Sequence, residues 1–120
     1  MHGADARCAA HLDQPHARRL CHLVDALLER NKLTRDDISG WVGHPGGPAV
    51  ITATCEALAL SALALQHTRR SLAQIGNLSS ASVLFLLDHF RVQVRPEAGS
   101  YGLLIAMGPG FCAEAVLLRW

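Results

Sequence analysis

The sequence predicts an α/β fold, a mixed sheet with helices packed on it, in the order α-β-α-α-β-β. Three observations carry this prediction. Leu20, Leu23, Val24, Leu27 and Leu28 recur at the spacing of a half-buried helix. The runs Ile38–Gly43, Tyr101–Met107 and Ala113–Arg119 are short, apolar and bounded by turn residues, as buried strands are. Half of the 120 residues are hydrophobic, with 18 Ala and 19 Leu, enough for one core of modest size.

Residues 1–14 show no periodicity, and 1–19 are read as an irregular leader. From Pro15 the apolar stripe begins, with Arg18, Arg19, His22, Asp25, Glu29 and Arg30 on the opposite face and Asn31 as a stop. The strand Ile38–Gly43 follows. His44-Pro-Gly-Gly-Pro48 cannot be regular structure, because Pro45 disfavours the helical region for His44. Pro48 suits the first turn of a helix running to about Leu60, with Val50, Ile51, Thr54, Cys55 and Leu58 on one side. A further helix spans about Ala62–Gln74 and stops at Gly76. Asn77-Leu-Ser-Ser80 supplies cap residues for a helix over Ser80–Phe90. There Val83, Leu84, Phe85, Leu86 and Leu87 point nearly all round, which predicts burial on most sides. Arg91–Ser100 reads as a polar connection, and Gly108–Cys112 as a hairpin turn between the last two strands.

Composition excludes several functions. Eleven basic residues against ten acidic ones leave a net charge of +1, so there is no basic field for a nucleic-acid partner or a membrane surface. The longest strongly apolar stretch, Ala57–Leu65, is far short of the roughly 20 residues of a membrane span. Met1–Arg19 holds no apolar signal-peptide core. Cysteines at 8, 21, 55 and 112 form no C-x-x-C pair, which fits a reducing, cytoplasmic setting and small buried thiols. His2, Cys8, His11, His16, Cys21 and His22 crowd the first 22 positions, but their spacing fits no zinc finger or ribbon, and no metal is expected. Trp41 and Trp120 read as packing residues, Arg69-Arg70 as a solvated face, and His67 and His89 as surface residues on helices.

Chemistry points to three loops at element boundaries. His44 directly follows a strand, and the glycines after it let a ligand approach the backbone. Asn77 stands just before a helix whose N-terminus favours an anion. A His can tune a nucleophile, and an amide N–H can stabilise an oxyanion or enolate. Each signal also has a structural reading, a turn histidine and a helix cap.

Together the loops say more. Gly40-Trp-Val-Gly-His-Pro-Gly-Gly-Pro48, Gly76-Asn-Leu-Ser-Ser-Ala-Ser-Val-Leu-Phe-Leu-Leu-Asp88 and Met107-Gly-Pro-Gly-Phe-Cys-Ala-Glu-Ala-Val-Leu-Leu-Arg-Trp120 resemble, in this order, the C-terminal region of type III polyketide synthases. These are the chalcone and stilbene synthase-like acyltransferases of the thiolase fold, and the resemblance covers residues 20–120. It implies the C-terminal half of that fold, with His44 and Asn77 as two members of a Cys-His-Asn triad. His44 would keep the cysteine a thiolate, and both would hold a thioester carbonyl while malonyl-CoA loses carbon dioxide. The enolate would then attack an enzyme-bound acyl group in a Claisen condensation.

By the same resemblance Gly46, Gly47 and Ala49 lie against the CoA arm, Ser79 lines the cavity, and Gly108, Pro109 and Gly110 shape the cyclisation pocket. The implied partners are acyl-CoA and malonyl-CoA as substrates, with no bound cofactor, and a homo-oligomer is expected. The family's nucleophile lies in the preceding half of the fold, and none of Cys8, Cys21, Cys55 or Cys112 carries its motif. The chain is therefore expected to be a fragment, inactive alone, needing its missing N-terminal half or another thiolase-fold subunit. The alternative is a non-catalytic remnant that only pairs with such chains.

Overall fold

The computed structural model describes residues 14–61, 63–78, 80–108 and 112–120. Helix α1 (Gln14–Arg30) leads through a 3₁₀ turn (Arg35–Asp37) into strand β1 (Ile38–Gly43). Helices α2 (Pro48–Ala57), α3 (Gln66–Gln74) and α4 (Ser80–His89) follow, and a π-helical turn (Phe90–Val94) extends α4. Strands β2 (Tyr101–Gly108) and β3 (Cys112–Arg119) close the chain. Three helices separate β1 from β2, as the element-by-element reading has them and one more than the order α-β-α-α-β-β counts. Residues 14–19 of the expected leader are helical, while the hairpin tip and the rest of the leader lie outside the described residues.

The sheet is mixed and ordered β1-β2-β3. β1 runs parallel to β2, with Gly40 opposite Gly102 and Gly43 opposite Ile105. β2 and β3 are antiparallel, from Tyr101 opposite Arg119 to Gly108 opposite Cys112. Parallel pairing needs a long crossover, which α2, α3 and α4 provide.

Alternation along the strands sends side chains to two faces. Trp41, Leu103 and Ile105 join the larger core, built with Leu20, Val24 and Leu28 of α1 and Ile51, Cys55 and Leu58 around α2. Val42 faces the other way, into a smaller cluster with Leu86 and Phe90, flanked by Leu104 and Trp120. Phe90 and Trp120 stack nearly parallel there, with centroids 5.7 Å apart.

Helix α4 is less enclosed than its composition predicts. Ser82 and Leu86 are buried, but Leu84 is 67% and Phe85 52% exposed. The sheet covers one face of α4, and among the described residues nothing covers the opposite one. Leu86 lies on the face packed against Val42.

Candidate functional site

β1 delivers His44. Its N–H donates to the carbonyl of Ile105 at 3.0 Å, which carries the parallel ladder one residue past the strand. Alternation then sets residues 40, 42 and 44 on the face that α4 covers. His44 is half-buried, and its ring packs over Gly46, where an added Cβ would meet Cδ2 at 3.5 Å. The Gly46 N–H turns back to the His44 carbonyl at 2.9 Å, closing a tight turn.

Gly47 then adopts φ +152, a backbone conformation reserved in practice for glycine, while a Cβ there would meet nothing within 4 Å. Conformation, not space, sets that residue. Pro48 opens α2, and the Gly47 carbonyl accepts its first helical bond from Ile51. Gly46 and Ala49 are exposed beside this helix start.

Helix α4 carries the second loop toward the same region. Phe90 lies against Gly40, at 3.0 Å from a Cβ built there, and Leu86 clusters with Val42. Moving back one turn along α4 therefore moves forward along β1, so the two run antiparallel. Ten helical residues from Phe90 to Ser80 rise about 15 Å, and four strand residues from Gly40 to His44 span about 13 Å. The N-terminus of α4 thus reaches the level of His44. Asn77 is exposed in the segment just ahead of it, after Gly76 at φ +90 ends the α3 turn. The Leu78 N–H donates to Ser82 Oγ at 2.7 Å, and this contact caps the helix entry. Because β1 and β2 are parallel, the Gly108 end of β2 also projects beyond the sheet on the His44 side. The His44 end of β1, the entry of α4 and the Gly108 end of β2 therefore lie toward one end of the sheet. Ser79, Pro109 and Gly110 lie outside the described residues.

Two cysteines sit elsewhere. Cys21 donates its thiol to the Ala57 carbonyl at 2.8 Å, against the larger core. Cys55 is buried in that core, and burial pushes its thiol up, away from the thiolate form. Cys112 is exposed at the start of β3, and Cys8 lies outside the described residues. Among the described residues no group of three or more His, Cys, Asp or Glu is gathered to hold a metal ion. No described helix is long and apolar enough to cross a membrane.

Sequence reasoning missed Thr68. Its hydroxyl accepts the Gly43 N–H at 3.2 Å and donates to the Gly43 carbonyl at 3.1 Å, fixing the residue before His44. A threonine between His67 and Arg69 carries no sequence signal for that role.

Comparison with known proteins shows the family. Residues 3–120 match the family of chalcone and stilbene synthases, C-terminal domain. The chain is 55% identical over 93 residues to 1,3,6,8-tetrahydroxynaphthalene synthase of Streptomyces peucetius subsp. caesius, covering 78% of this chain and 25% of that protein. It is 40% identical over 98 residues to 3,5-dihydroxyphenylacetyl-CoA synthase of Amycolatopsis orientalis, covering 82% and 26%. Among solved structures it is similar to PKS-I from the brown alga Ectocarpus siliculosus, with TM-score 0.74 and 32% identity over 86% of this chain and 29% of that one. The C-terminal type III polyketide synthase domain of Steely1 from Dictyostelium aligns with TM-score 0.70 and 26% identity, over 90% of this chain and 32% of that one. The chain spans about a quarter of the length of the curated relatives it matches.

Proposed function

The chain belongs to the chalcone and stilbene synthases, as their C-terminal domain, and on that premise we propose that it supplies the His–Asn portion of a type III polyketide synthase active site. His44 pairs as an imidazolium with a cysteine thiolate contributed by a thiolase-fold segment outside these 120 residues. That thiolate attacks the carbonyl of an acyl-CoA starter, the C–S bond to CoA breaks, and CoA leaves as its thiolate. His44 and Asn77 then donate hydrogen bonds to the thioester carbonyl of malonyl-CoA. Charge grows on that oxygen as the C–C bond to the carboxylate breaks and carbon dioxide leaves. The enolate carbon attacks the acyl thioester, and the thiolate departs as the new C–C bond forms.

One observation supports this reading: Leu86 packs with Val42 and Phe90 lies against Gly40, so α4 runs antiparallel to β1 and its entry, beside Asn77, lies toward the strand end that bears His44. The neighbouring backbone suits a long, thin substrate arm. Gly46, Gly47 and Ala49 offer small or absent side chains at an exposed helix start. Ser79 and the Gly108–Gly110 turn are assigned to the acyl cavity and the cyclisation pocket. CoA thioesters are substrates here, and no bound cofactor enters any step.

The test uses the 120-residue chain alone, then together with the preceding, cysteine-bearing segment of the Streptomyces peucetius relative. The chain alone should make no product from malonyl-CoA and an acyl-CoA. The pair should turn over, and H44Q or N77A should abolish turnover while leaving the pair assembled. Product from the chain alone, lost on mutating one of its own cysteines, overturns the proposal. A second reading, a non-catalytic pairing module, is favoured by the exposed Leu84 and Phe85. Assembly without turnover would select it.

A further inference from the structure

Helices α3 and α4 form an antiparallel hairpin, and a cleft between them is lined by His67, Arg70, Ser71, Gln74, Phe85 and His89. His67 stands in the first turn of α3 and His89 is the last residue of α4. The two rings meet across the hairpin, with His67 Nδ1 and His89 Nε2 3.2 Å apart and ring centroids 5.0 Å apart.

With each nitrogen about 1.2 Å from its ring centroid, rings pointing straight at one another over this gap would hold their centroids about 5.5 Å apart. The shorter separation means that the two nitrogens lie off the line between centroids, an offset compatible with a shared ligand between rings tilted by 52°. Two imidazoles each about 2.05 Å from one zinc ion, at slightly under the tetrahedral angle, bring their nitrogens to about 3.2 Å and their centroids to about 5.0 Å.

We propose that His67 and His89 form a two-imidazole binding site for a divalent late first-row transition ion such as Zn²⁺ or Ni²⁺. In the metal-free chain one ring donates to the other. A change of tautomer moves that hydrogen to the ring's other nitrogen and frees both lone pairs for the ion. Burial, then the neighbouring His89 and Arg70, hold the His67 imidazole below its ordinary range. Both rings are half-buried and line the cleft together with the more exposed Arg70. With two protein ligands, water completes the shell, so the site binds more weakly than a four-ligand structural zinc site.

The experiment titrates ZnCl₂, and separately NiCl₂, into the ¹⁵N-labelled 120-residue chain while following histidine ring nitrogens by NMR. His67 and His89 should respond together and saturate at one ion per hairpin, and MgCl₂ should leave both unchanged. H67Q should weaken the response of His89 at least tenfold, and H89Q that of His67. Following the rings individually separates this site from ions held by the histidines of residues 1–22. The proposal is overturned if both rings stay unmoved in the folded wild-type chain, or if His89 responds undiminished in H67Q.

Discussion

Thr68 Oγ1 holds both backbone groups of Gly43, accepting from its N–H at 3.2 Å and donating to its carbonyl at 3.1 Å. β1 is an edge strand, so these groups face away from β2 and would otherwise have no ladder partner. The side chain is fully buried, and Leu65 closes over the same glycine at 3.1 Å from a Cβ built there. One hydroxyl thus does the work of a missing neighbouring strand at the residue before His44.

T68V keeps the shape and removes the hydroxyl, leaving a buried N–H and a buried carbonyl unpaired. The expected cost is about 2–3 kcal/mol in a denaturant titration. T68S should retain most of the stability. If T68V unfolds at the wild-type midpoint, the contact is not the anchor described.

Gly102 is equally constrained, from the opposite face. A Cβ there would stand 2.7 Å from Trp120 Cζ2 and 2.9 Å from two further indole atoms. G102A should therefore displace the ring, break its stack on Phe90 and cost about 1–3 kcal/mol. In W120A, which loses that packing already, the same substitution should cost far less. Equal costs in both backgrounds would mean that the indole is not what the methyl meets.

Much of this fold is legible in the residues, and the failures share a cause. β1 was bounded correctly by Pro45 and the turn before Ile38, and Gly76 ends its helix where a glycine stop predicts. The helix from Pro48 was read to about Leu60, but it ends at Ala57. Ala59 takes φ +53, with the Leu60 N–H reaching back to the Cys55 carbonyl at 2.9 Å. Arg95 at φ +52 likewise ends the π-helical turn inside the predicted polar connection, where its N–H meets the Phe90 carbonyl. Left-handed termini built on Ala and Arg, without glycine, leave no composition signal. The site was legible as motifs because its backbone demands Gly and Pro. Thr68 depends on α3 packing against the edge of β1, and the meeting of His67 with His89 on α3 and α4 folding back on each other; no local pattern encodes either.

Arg35 ties three segments. Its guanidinium grips both carboxylate oxygens of Asp25 at 2.9 Å, and Nη1 donates to the Leu58 carbonyl past the end of α2. The pair is partly exposed, so solvent screening keeps its worth modest. R35A should cost about 1–2 kcal/mol. R35K should recover less than half of that, because an ammonium cannot span the carboxylate and the carbonyl together. Full rescue by lysine would show that charge alone matters.

Acid should loosen the α3–α4 hairpin. Burial first, then His89 and Arg70, lower the proton affinity of His67 below its unfolded value of 6.5. The unfolded chain therefore binds more protons at this residue, and its stabilising contribution is complete above pH 6.5 and lost as pH falls through the lower, folded value. Thermal midpoints measured from pH 7.5 down to 5 should decline, and H67Q should flatten part of that decline. An identical pH profile in H67Q would remove His67 as the source.

The last prediction follows from α4. Leu84 and Phe85 stand 67% and 52% exposed, and Ile75, 49% exposed, lines the cleft with Phe85. Covering a side chain of this size stabilises by about 1.5–3 kcal/mol. Two or three together rival the whole stability of a small domain, so the patch should drive the 120-residue chain to associate. Sedimentation should show concentration-dependent species, and a hydrophobic dye should fluoresce on binding. L84K adds charge at the more exposed of these positions, so it should weaken both signals and leave the unfolding midpoint nearly unchanged. Adding a cysteine-bearing thiolase-fold segment should quench the dye in wild type but not in the variant. A monodisperse wild-type monomer that binds no dye would show that the exposed face of α4 attracts nothing.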